Sequence, residues 1–204
     1  MMKNVLVTGY QGFIGKELNG KPFKGRLENY QDLINSIENV DGIVHLAAKS
    51  SRISCENDPR GCISSNLVGL SNVLEVALRR NIWVLFISTF QVKERNLYGM
   101  TKLVGEELCR IYQNEGLKVK ILRLPIVYGP DDRHHKVATR IMNAIKSGFK
   151  AKIDTKKKFY FAYVTDIAKV IENEVDMMMG NIGKKSSLMT LDEGIRKFLH
   201  EEKK

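Results

Sequence analysis

A short apolar run followed at once by three evenly spaced glycines constrains the fold of this chain more than any other feature. Residues 3–8 (KNVLVT) are rich in branched side chains, and residues 9–15 (GYQGFIG) place a glycine at every third position. A strand, a tight glycine turn and the start of a helix can hold a phosphate at the helix N-terminus. The pattern predicts a dinucleotide-binding turn and a first helix over about residues 12–18. A glycine-rich turn that holds no ligand is the alternative.

Further apolar runs alternate with helical patterns along the next hundred residues. This alternation predicts an α/β fold, a Rossmann-type doubly wound parallel sheet with helices on both faces. The ligand of such a sheet lies at the carboxyl ends of the strands. Strands are predicted over residues 3–8, 23–27, 43–48, 82–88 and 118–124. Three helices are predicted between them: one begins at Asn29 or Asp32, one runs from Asp58 to about Asn81, and one covers about residues 99–115.

The chain length of 204 residues fits one structural unit with a small appendage. Residues 1–130 are predicted to form a dinucleotide-binding Rossmann core. Residues 131–204 are predicted to form a reduced substrate-binding region that packs on this core. The pattern in this second part predicts helices over 137–147, 166–175 and 190–202, and one or two strands within 152–164.

The charge of the chain favours anionic small ligands. Its 33 basic and 23 acidic side chains give a formal net charge of +10, which suits dinucleotides and sugar nucleotides. The lysines are scattered and no basic helix face carries interleaved aromatic residues, so nucleic-acid binding is not expected. No apolar run approaches the length of a membrane-spanning helix, so no membrane association is expected either.

The three cysteines, Cys55, Cys62 and Cys109, are odd in number and form no C-x-x-C pair. This usage predicts buried free thiols in a reducing, cytoplasmic compartment and no metal site. The start of the chain lacks a signal-peptide pattern, which also favours the cytoplasm.

Tyr98 and Lys102 carry the strongest signal for chemistry. Their spacing of four residues places both side chains on one face of the predicted helix. A nearby ammonium lowers the pKa of a phenol from its usual ~10, which suits proton transfer near neutral pH. The preceding strand ends in Ser88 and Thr89, and either hydroxyl could bind the same substrate oxygen. An exposed surface pair is the alternative, since Y-x-x-x-K spacings are common on helices.

Together these motifs resemble the extended short-chain dehydrogenases/reductases, of the NAD-dependent epimerase/dehydratase type that acts on sugar nucleotides. The matching segments follow the order of that family and extend to residue 169. They are TGYQGFIG (8–15), HLAA (45–48), Pro59 with Asn66, NVLEVA (72–77), ST (88–89), YGMTK (98–102), RLPIVYGP (123–130) and YVTDIAK (163–169).

The resemblance implies a catalytic set of Thr89, Tyr98 and Lys102. Tyr98 would be the acid/base. Lys102 would bind the nicotinamide ribose and help to ionise Tyr98. Thr89 fits the hydroxyl role better than Ser88, because it lies three residues before Val92, and Asn66 would be a structural hydrogen-bonding residue. The implied cofactor-binding residues are Gly9, Gly12, Phe13, Ile14, Gly15, Leu46, Ala47, Ala48, Tyr98, Lys102, Leu124 and Pro125.

The choice between NAD and NADP stays open at this point. An acidic residue that binds the adenosine ribose is expected about 20 positions after the glycines. Basic residues, Lys21, Lys24 and Arg26, occupy this region instead, because Glu28 and Asp32 fall at the start of the next predicted helix. Arg26 is the residue predicted to contact a phosphate.

The resemblance implies an NAD(P)-dependent oxidoreductase or epimerase that acts on a nucleotide-activated sugar. Phe90 and Gln91 stand where dehydratases of the family carry an acidic pair, so a compact, reductase-like variant is expected rather than a dehydratase. Ile126 replaces a frequent substrate-binding Asn, and the carboxyl-terminal region is short. These departures favour the alternative, a non-catalytic dinucleotide-binding protein that acts as a redox sensor or assembly partner. The resemblance also implies a homodimer formed through the helices at about 60–80 and 99–115.

Overall fold

A five-stranded parallel sheet forms the centre of the protein, as seen in a computed structural model that describes residues 2–130 and 161–181. All neighbouring strands of this sheet are parallel, which confirms the predicted Rossmann-type α/β fold. In spatial order the strands are β2 (Lys21–Pro22), β1 (Val5–Thr8), β3 (Gly42–His45), β4 (Trp83–Thr89) and β5 (Val119–Leu124).

Helices cover both faces of the sheet, as the alternation of strands and helices predicts. Val84 and Phe86 of β4 face one core, and Leu85 and Ile87 face the other. A separate pair of short parallel strands, β6 (Ile126–Tyr128) and β7 (Phe161–Tyr163), follows the sheet. The helices are α1 (Tyr30–Ser36), α2 (Arg52–Asn57), α3 (Pro59–Ile63), α4 (Gly69–Arg80), α5 (Leu97–Asn114) and α6 (Val164–Met178).

The predicted first helix over residues 12–18 is wrong. Only a 3₁₀ turn, Gly15–Glu17, follows the glycines, because β2 already begins at Lys21 and the connection is too short for a longer helix. The predicted strand over 23–27 is also wrong. The backbone of Phe23 still bonds Val7, but the chain then turns away as the amide of Arg26 donates to Asp32.

The long helix predicted from Asp58 to Asn81 is present with an interruption. Asp58 caps its start by accepting from the amide of Gly61 at 3.0 Å, and Asn81 ends it with a left-handed φ of 52°. Between α3 and α4 the residues Ser64–Val68 form a π-helical turn. This turn directs Asn66 into the interior, where it is buried. Helix α2, which Ser51 caps, was not predicted.

The prediction of three free thiols is wrong for two of them. Cys55 and Cys62 form a disulfide, because the corner between α2 and α3 at Asp58 and Pro59 brings their Cα atoms to 5.0 Å. Cys109 on α5 is free and buried, as predicted.

The combined helical run Pro59–Arg80 is long and apolar enough to cross a membrane, judged by length and composition alone, contrary to the expectation from the sequence. Core helices of globular proteins pass the same test. Leu70, Val73 and Leu74 on α4 are fully buried against the sheet, which is the packing of a core helix.

The helix predicted over residues 166–175 is confirmed as α6, which packs on the sheet face opposite α4 and α5. Residues 131–160 and 182–204 lie outside the described part of the chain. The helices predicted over 137–147 and 190–202 fall there, as do most residues of the strands predicted within 152–164. The division at residue 130 therefore stays a prediction.

Candidate active site

The glycine turn brings backbone against backbone at the carboxyl ends of β1 and β3. Gly9 has a left-handed φ of +73°, and a Cβ atom at this position would lie 2.7 Å from the amide nitrogen of Ala47. A Cβ atom on Gly15 would lie 2.2 Å from the carbonyl oxygen of Gly9. Since real Cβ contacts are not this short, the turn accepts no side chain at either position. These contacts pack the turn closely against the end of β3, and Gly9 remains partly exposed.

A cleft of about 330 Å³ opens beside this turn. Three predicted cofactor-binding residues, Gly9, Arg26 and Ala47, line it, whereas Phe13 and Ile14 pack against the apolar core under α6. The sequence reasoning did not assign Tyr10, Gln11 or Ser65 to it. Tyr10 and Gln11 lie inside the glycine motif, but Ser65 carries no local signal because the π-helical turn places it. The complete lining is Gly9, Tyr10, Gln11, Phe23, Lys24, Gly25, Arg26, Leu27, Glu28, Ala47 and Ser65.

The loop after β2 supplies the charged groups of the cleft. Lys24 and Arg26 are exposed there, and neither forms an ion pair with another described residue. Asp32 accepts from the backbone amide of Arg26 at 2.8 Å and from the Asn29 side chain at 2.9 Å, so its carboxylate holds the loop in shape. Glu28 is the acidic residue that lines the cleft. The cleft therefore offers two cations and one carboxylate to a ligand.

Thr89 and Tyr98 meet at the end of β4. Both side chains are buried, which excludes the alternative of an exposed surface pair for Tyr98 and Lys102. Burial raises the pKa of Tyr98 to about 12, although a hydrogen bond with the Thr89 side chain acts in the opposite direction. Tyr98 consequently carries its proton at neutral pH. Thr89 also accepts from the amide of Gln91 at 3.2 Å, which fixes its side chain.

Lys102 lies one helical turn beyond Tyr98 and is 4% exposed. Its Nζ donates to the carbonyl oxygen of Ile87 at 2.8 Å and lies 4.7 Å from the centre of the Phe86 ring. Burial lowers the pKa of Lys102 to about 8, against the opposing influence of Cys109 and Glu106. The expected lowering of the Tyr98 pKa by Lys102 is not found, because burial of the phenol dominates and the ammonium group binds Ile87.

Ser88 makes a different contact from its neighbour Thr89. Its hydroxyl donates to Glu106 at 2.6 Å in the buried interior. Thr89 is therefore the hydroxyl left to face a ligand, which supports its assignment over Ser88.

The nicotinamide-side residues proposed from the sequence lie along the same edge of the sheet. Thr89 pairs directly with Leu124, the last residue of β5, and Pro125 follows it. Leu46 and Ala48 follow β3 and are partly exposed. The carboxyl ends of β3, β4 and β5 thus bring these residues to one side of the sheet, as expected for a parallel α/β fold.

Asn66 has the structural role predicted for it. Its side chain accepts from the amide of Lys49 at 2.8 Å and donates to the carbonyl of Lys49 at 3.2 Å and to Thr101 at 2.9 Å. These bonds tie the segment after β3 to α5. The disulfide between Cys55 and Cys62 packs against Tyr98 from the same segment.

His45 is a structural residue of this edge that the sequence reasoning did not single out. It is fully enclosed at the end of β3, and its Nδ1 lies 2.9 Å from the Thr8 hydroxyl. Burial lowers the pKa of His45 to about 3, and the charge of Lys102 acts in the same direction. The neutral imidazole links the ends of β1 and β3 beneath the glycine turn.

Comparisons with known proteins agree on a single family. The model of the NAD dependent epimerase/dehydratase family matches residues 16–173. A UDP-N-acetyl-alpha-D-glucosaminuronate decarboxylase of Bacillus cytotoxicus is 26% identical, over all of this chain and 83% of that protein. Protein CapI of Staphylococcus aureus is 32% identical, over 79% of this chain and 55% of its own length.

Solved structures show the same fold. MoeE5 in complex with UDP-glucose and NAD has a TM-score of 0.74 at 22% identity and covers 97% of this chain and 81% of its own. The UDP-glucose 4-epimerase of Thermus thermophilus in complex with NAD has a TM-score of 0.69 at 20% identity, with 96% and 81% covered.

Proposed function

The chain belongs to the NAD-dependent epimerase/dehydratase family, and from this premise we propose that it is an NAD(P)-dependent enzyme acting on a nucleotide-activated sugar. The observation that carries the proposal is the buried contact of Thr89 with Tyr98 at the end of β4, one helical turn from Lys102. One relative is named as a decarboxylase of a UDP-sugar and a structural neighbour is a complex with UDP-glucose and NAD, which supports the substrate class.

The residues of the cleft fit a dinucleotide. Gly9 lines the cleft and Gly12 is exposed beside it, and since neither carries a side chain, a diphosphate can approach the backbone of the turn. The adenosine end would lie against the loop after β2, and the nicotinamide end near Leu124 and Pro125. When bound, the dinucleotide supplies the acceptor or donor of a hydride.

Tyr98 and Thr89 would act on the sugar oxygen at the carbon that exchanges the hydride. In the reducing direction, the Tyr98 phenol gives its proton to the carbonyl oxygen as the carbon accepts the hydride. Thr89 donates a hydrogen bond to the same oxygen and holds it in reach. In the oxidising direction, both transfers run in reverse, and deprotonated Tyr98 accepts the proton of the sugar hydroxyl.

A non-catalytic dinucleotide-binding role is the less supported function. It would not require a buried phenol beside a hydroxyl, since a binding protein gains nothing from placing a proton donor there. The retention of Thr89, Tyr98 and Lys102 in one buried group therefore favours catalysis.

The cofactor preference follows from the loop after β2. Lys24 and Arg26 could hold the 2′-phosphate of NADP, whereas Glu28 could hold the ribose hydroxyls of NAD. The two exposed cations favour NADP. Replacing Arg26 by Ala should weaken NADP at least about fivefold, roughly 1 kcal/mol, and leave NAD within twofold. Calorimetric titration of both dinucleotides measures this, and equal losses for the two would refute a 2′-phosphate contact.

Turnover tests the main proposal. The purified protein is incubated with a panel of UDP-sugars and either dinucleotide, and products are followed by nucleotide-sugar chromatography and by the absorbance of reduced nicotinamide. Tyr98→Phe should keep the bound dinucleotide and lose activity by at least about 100-fold. Tyr112→Phe, the same change on the same helix away from the site, is the matched control. A Tyr98→Phe variant with full activity would exclude the mechanism, and dinucleotide binding without turnover on any sugar would favour the binding role.

A homodimer is also proposed. Met100, Val104 and Ile111 are apolar, exposed and spaced along one face of α5, and exposed apolar patches mark interaction sites. Ile63 and Val68 expose apolar surface on the neighbouring helical run. A second copy of this chain is the expected occupant. Light scattering at micromolar concentration should give a dimer mass, and the double variant Met100→Asp/Val104→Asp should give a monomer.

A further inference from the structure

A buried carboxylate joins three elements directly behind the candidate active site. The Glu106 side chain on α5 is only 1% exposed. It accepts from Ser88 on β4 at 2.6 Å, and from Nε and Nη2 of Arg123 on β5 at 2.7 and 2.6 Å. Burial acts to raise the pKa of Glu106, but the hydrogen bonds from Arg123 and Ser88 outweigh it and lower the pKa. Glu106 is therefore ionised at neutral pH.

The position of Glu106 relates it to the reacting groups. Tyr98, Lys102 and Glu106 follow one another at four-residue steps, which places them on one face of α5. This face meets three consecutive residues of β4. Tyr98 bonds Thr89, Glu106 accepts from Ser88, and Lys102 donates to the carbonyl of Ile87.

We propose that Glu106 is a positioning residue for this reaction: its bond to Ser88 sets α5 on β4 so that Thr89 and Tyr98 reach one substrate oxygen, and its negative charge keeps Lys102 protonated. The inference rests on the proposed function of the site. It assigns to Glu106 no contact with substrate or dinucleotide.

The need for this charge follows from the surroundings of Lys102. Burial lowers its pKa to about 8, and Cys109 and then Glu106 act to raise it. His45 of β3 is neutral at pH 7, since its pKa is about 3. Cys109 and Tyr98 of α5 are also neutral, because burial raises the pKa of each to about 12. Arg123 of β5 and Arg110 of α5 add positive charge, so Glu106 is the group among these that carries a negative charge at neutral pH.

Glu106→Gln removes the charge and nearly conserves the shape. This variant should lower kcat at least about tenfold and leave the KM for the sugar nucleotide within twofold of the wild type. In the profile of kcat against pH, the basic limb should move to lower pH by about one unit or more. Ser88→Ala removes the bond to β4 and keeps the charge, so kcat should fall without movement of the basic limb. Glu107→Gln, an exposed carboxylate paired with Arg110 on the same helix, should change neither.

A second variant covers the case in which Glu106→Gln fails to fold because Arg123 is left unpaired. Glu106→Gln/Arg123→Met removes both charges and should restore folding. If the charge of Glu106 acts on Lys102, this double variant still shows a lowered basic limb, although by less than Glu106→Gln because the positive charge of Arg123 is lost as well. If Glu106 only balances Arg123, the double variant recovers the wild-type kcat and profile, and the inference is wrong.

One readout is independent of turnover. NMR titration of ¹³Cε-labelled lysine, assigned with Lys102→Met, should show a lower pKa of Lys102 in Glu106→Gln than in the wild type and in Glu107→Gln. An unchanged Lys102 pKa overturns the inference. If the wild type converts no sugar nucleotide, the proposed function fails, whereas an active wild type with an unaltered Glu106→Gln profile refutes the inference alone.

Discussion

Reduction of the disulfide between Cys55 and Cys62 should measurably destabilise this protein. The bond closes the eight-residue segment 55–62, at a sequence separation of 7. The loss of chain entropy that such a loop imposes on the unfolded state is worth about 2.5 kcal/mol at 25 °C. In a chain of this size each kcal/mol moves the melting temperature by about 2–4 °C. Reduction should therefore lower Tm by about 5–10 °C.

The assay is thermal unfolding followed by circular dichroism, with and without a phosphine reductant. The variant Cys55→Ala/Cys62→Ala is the control, because it should melt at one temperature in both conditions. Alkylation of the denatured, unreduced protein should label one thiol, Cys109, and alkylation after reduction should label all three. Cys55 and Cys62 share an apolar cluster with Tyr98, so the reduced enzyme should also lose part of its kcat.

Three labelled thiols before reduction would show that the disulfide does not form, and an unchanged Tm on reduction would refute the entropy argument. The result also bears on location. Disulfides are rare in the reducing cytoplasm, so detection of the bond in the protein from its native cells would argue against the predicted cytoplasmic location. The location itself stays a prediction.

Two further predictions concern the edge of the sheet that carries the site. His45 has a pKa of about 3 in the folded protein and 6.5 as its ordinary value, so between these pH values the unfolded chain binds a proton that the folded chain does not. Stability should fall on acidification through this window by up to about 1.4 kcal/mol per pH unit, and urea unfolding at several pH values should show a shallower fall for His45→Gln. Gly15→Ala forces a Cβ atom to within 2.2 Å of a backbone oxygen and should weaken dinucleotide binding at least about tenfold by calorimetry. The control is Gly116→Ala, where a Cβ atom has open space but φ is +95°. This variant should lose about 1 kcal/mol of stability and bind the dinucleotide with unchanged affinity. An unaltered affinity in Gly15→Ala would contradict the role of the turn.

Local patterns were sufficient for most of the sheet and for the long helices. Branched apolar runs such as β4 are typical of parallel sheets with both faces covered, and their alternation with helices predicts the architecture. The helix ends follow local rules as well: Asn29 caps α1 by accepting from Gln31, and Asn81 adopts the left-handed conformation that ends α4. The spacing of Tyr98 and Lys102 along one helix is visible in the sequence, and the family resemblance adds Thr89 to this predicted catalytic group.

The sequence could not predict features that depend on distant partners. The predicted first helix is wrong because the position of β2 beside β1 limits the length of the connection between them. A local sequence pattern carries no information about that limit. The disulfide depends on the corner at Asp58 and Pro59, and the place of Ser65 in the cleft depends on a π-helical turn. The pKa of Tyr98 is set by burial, so the expected effect of Lys102 could not be judged from their spacing.

The amino-acid sequence by itself determined the parallel α/β fold, the glycine turn after β1 and the residues proposed for catalysis. The fold and the turn follow from short-range patterns of apolar residues and glycines, and the catalytic residues follow from the resemblance of their motifs to a known family. Only the tertiary structure decided that Ser88 donates to Glu106 while Thr89 bonds Tyr98. It also decided that Lys102 donates to the carbonyl of Ile87. The bonds of Ser88, Lys102 and Arg123 join residues 15–18 positions apart across three elements, and such contacts exist only when the chain has packed.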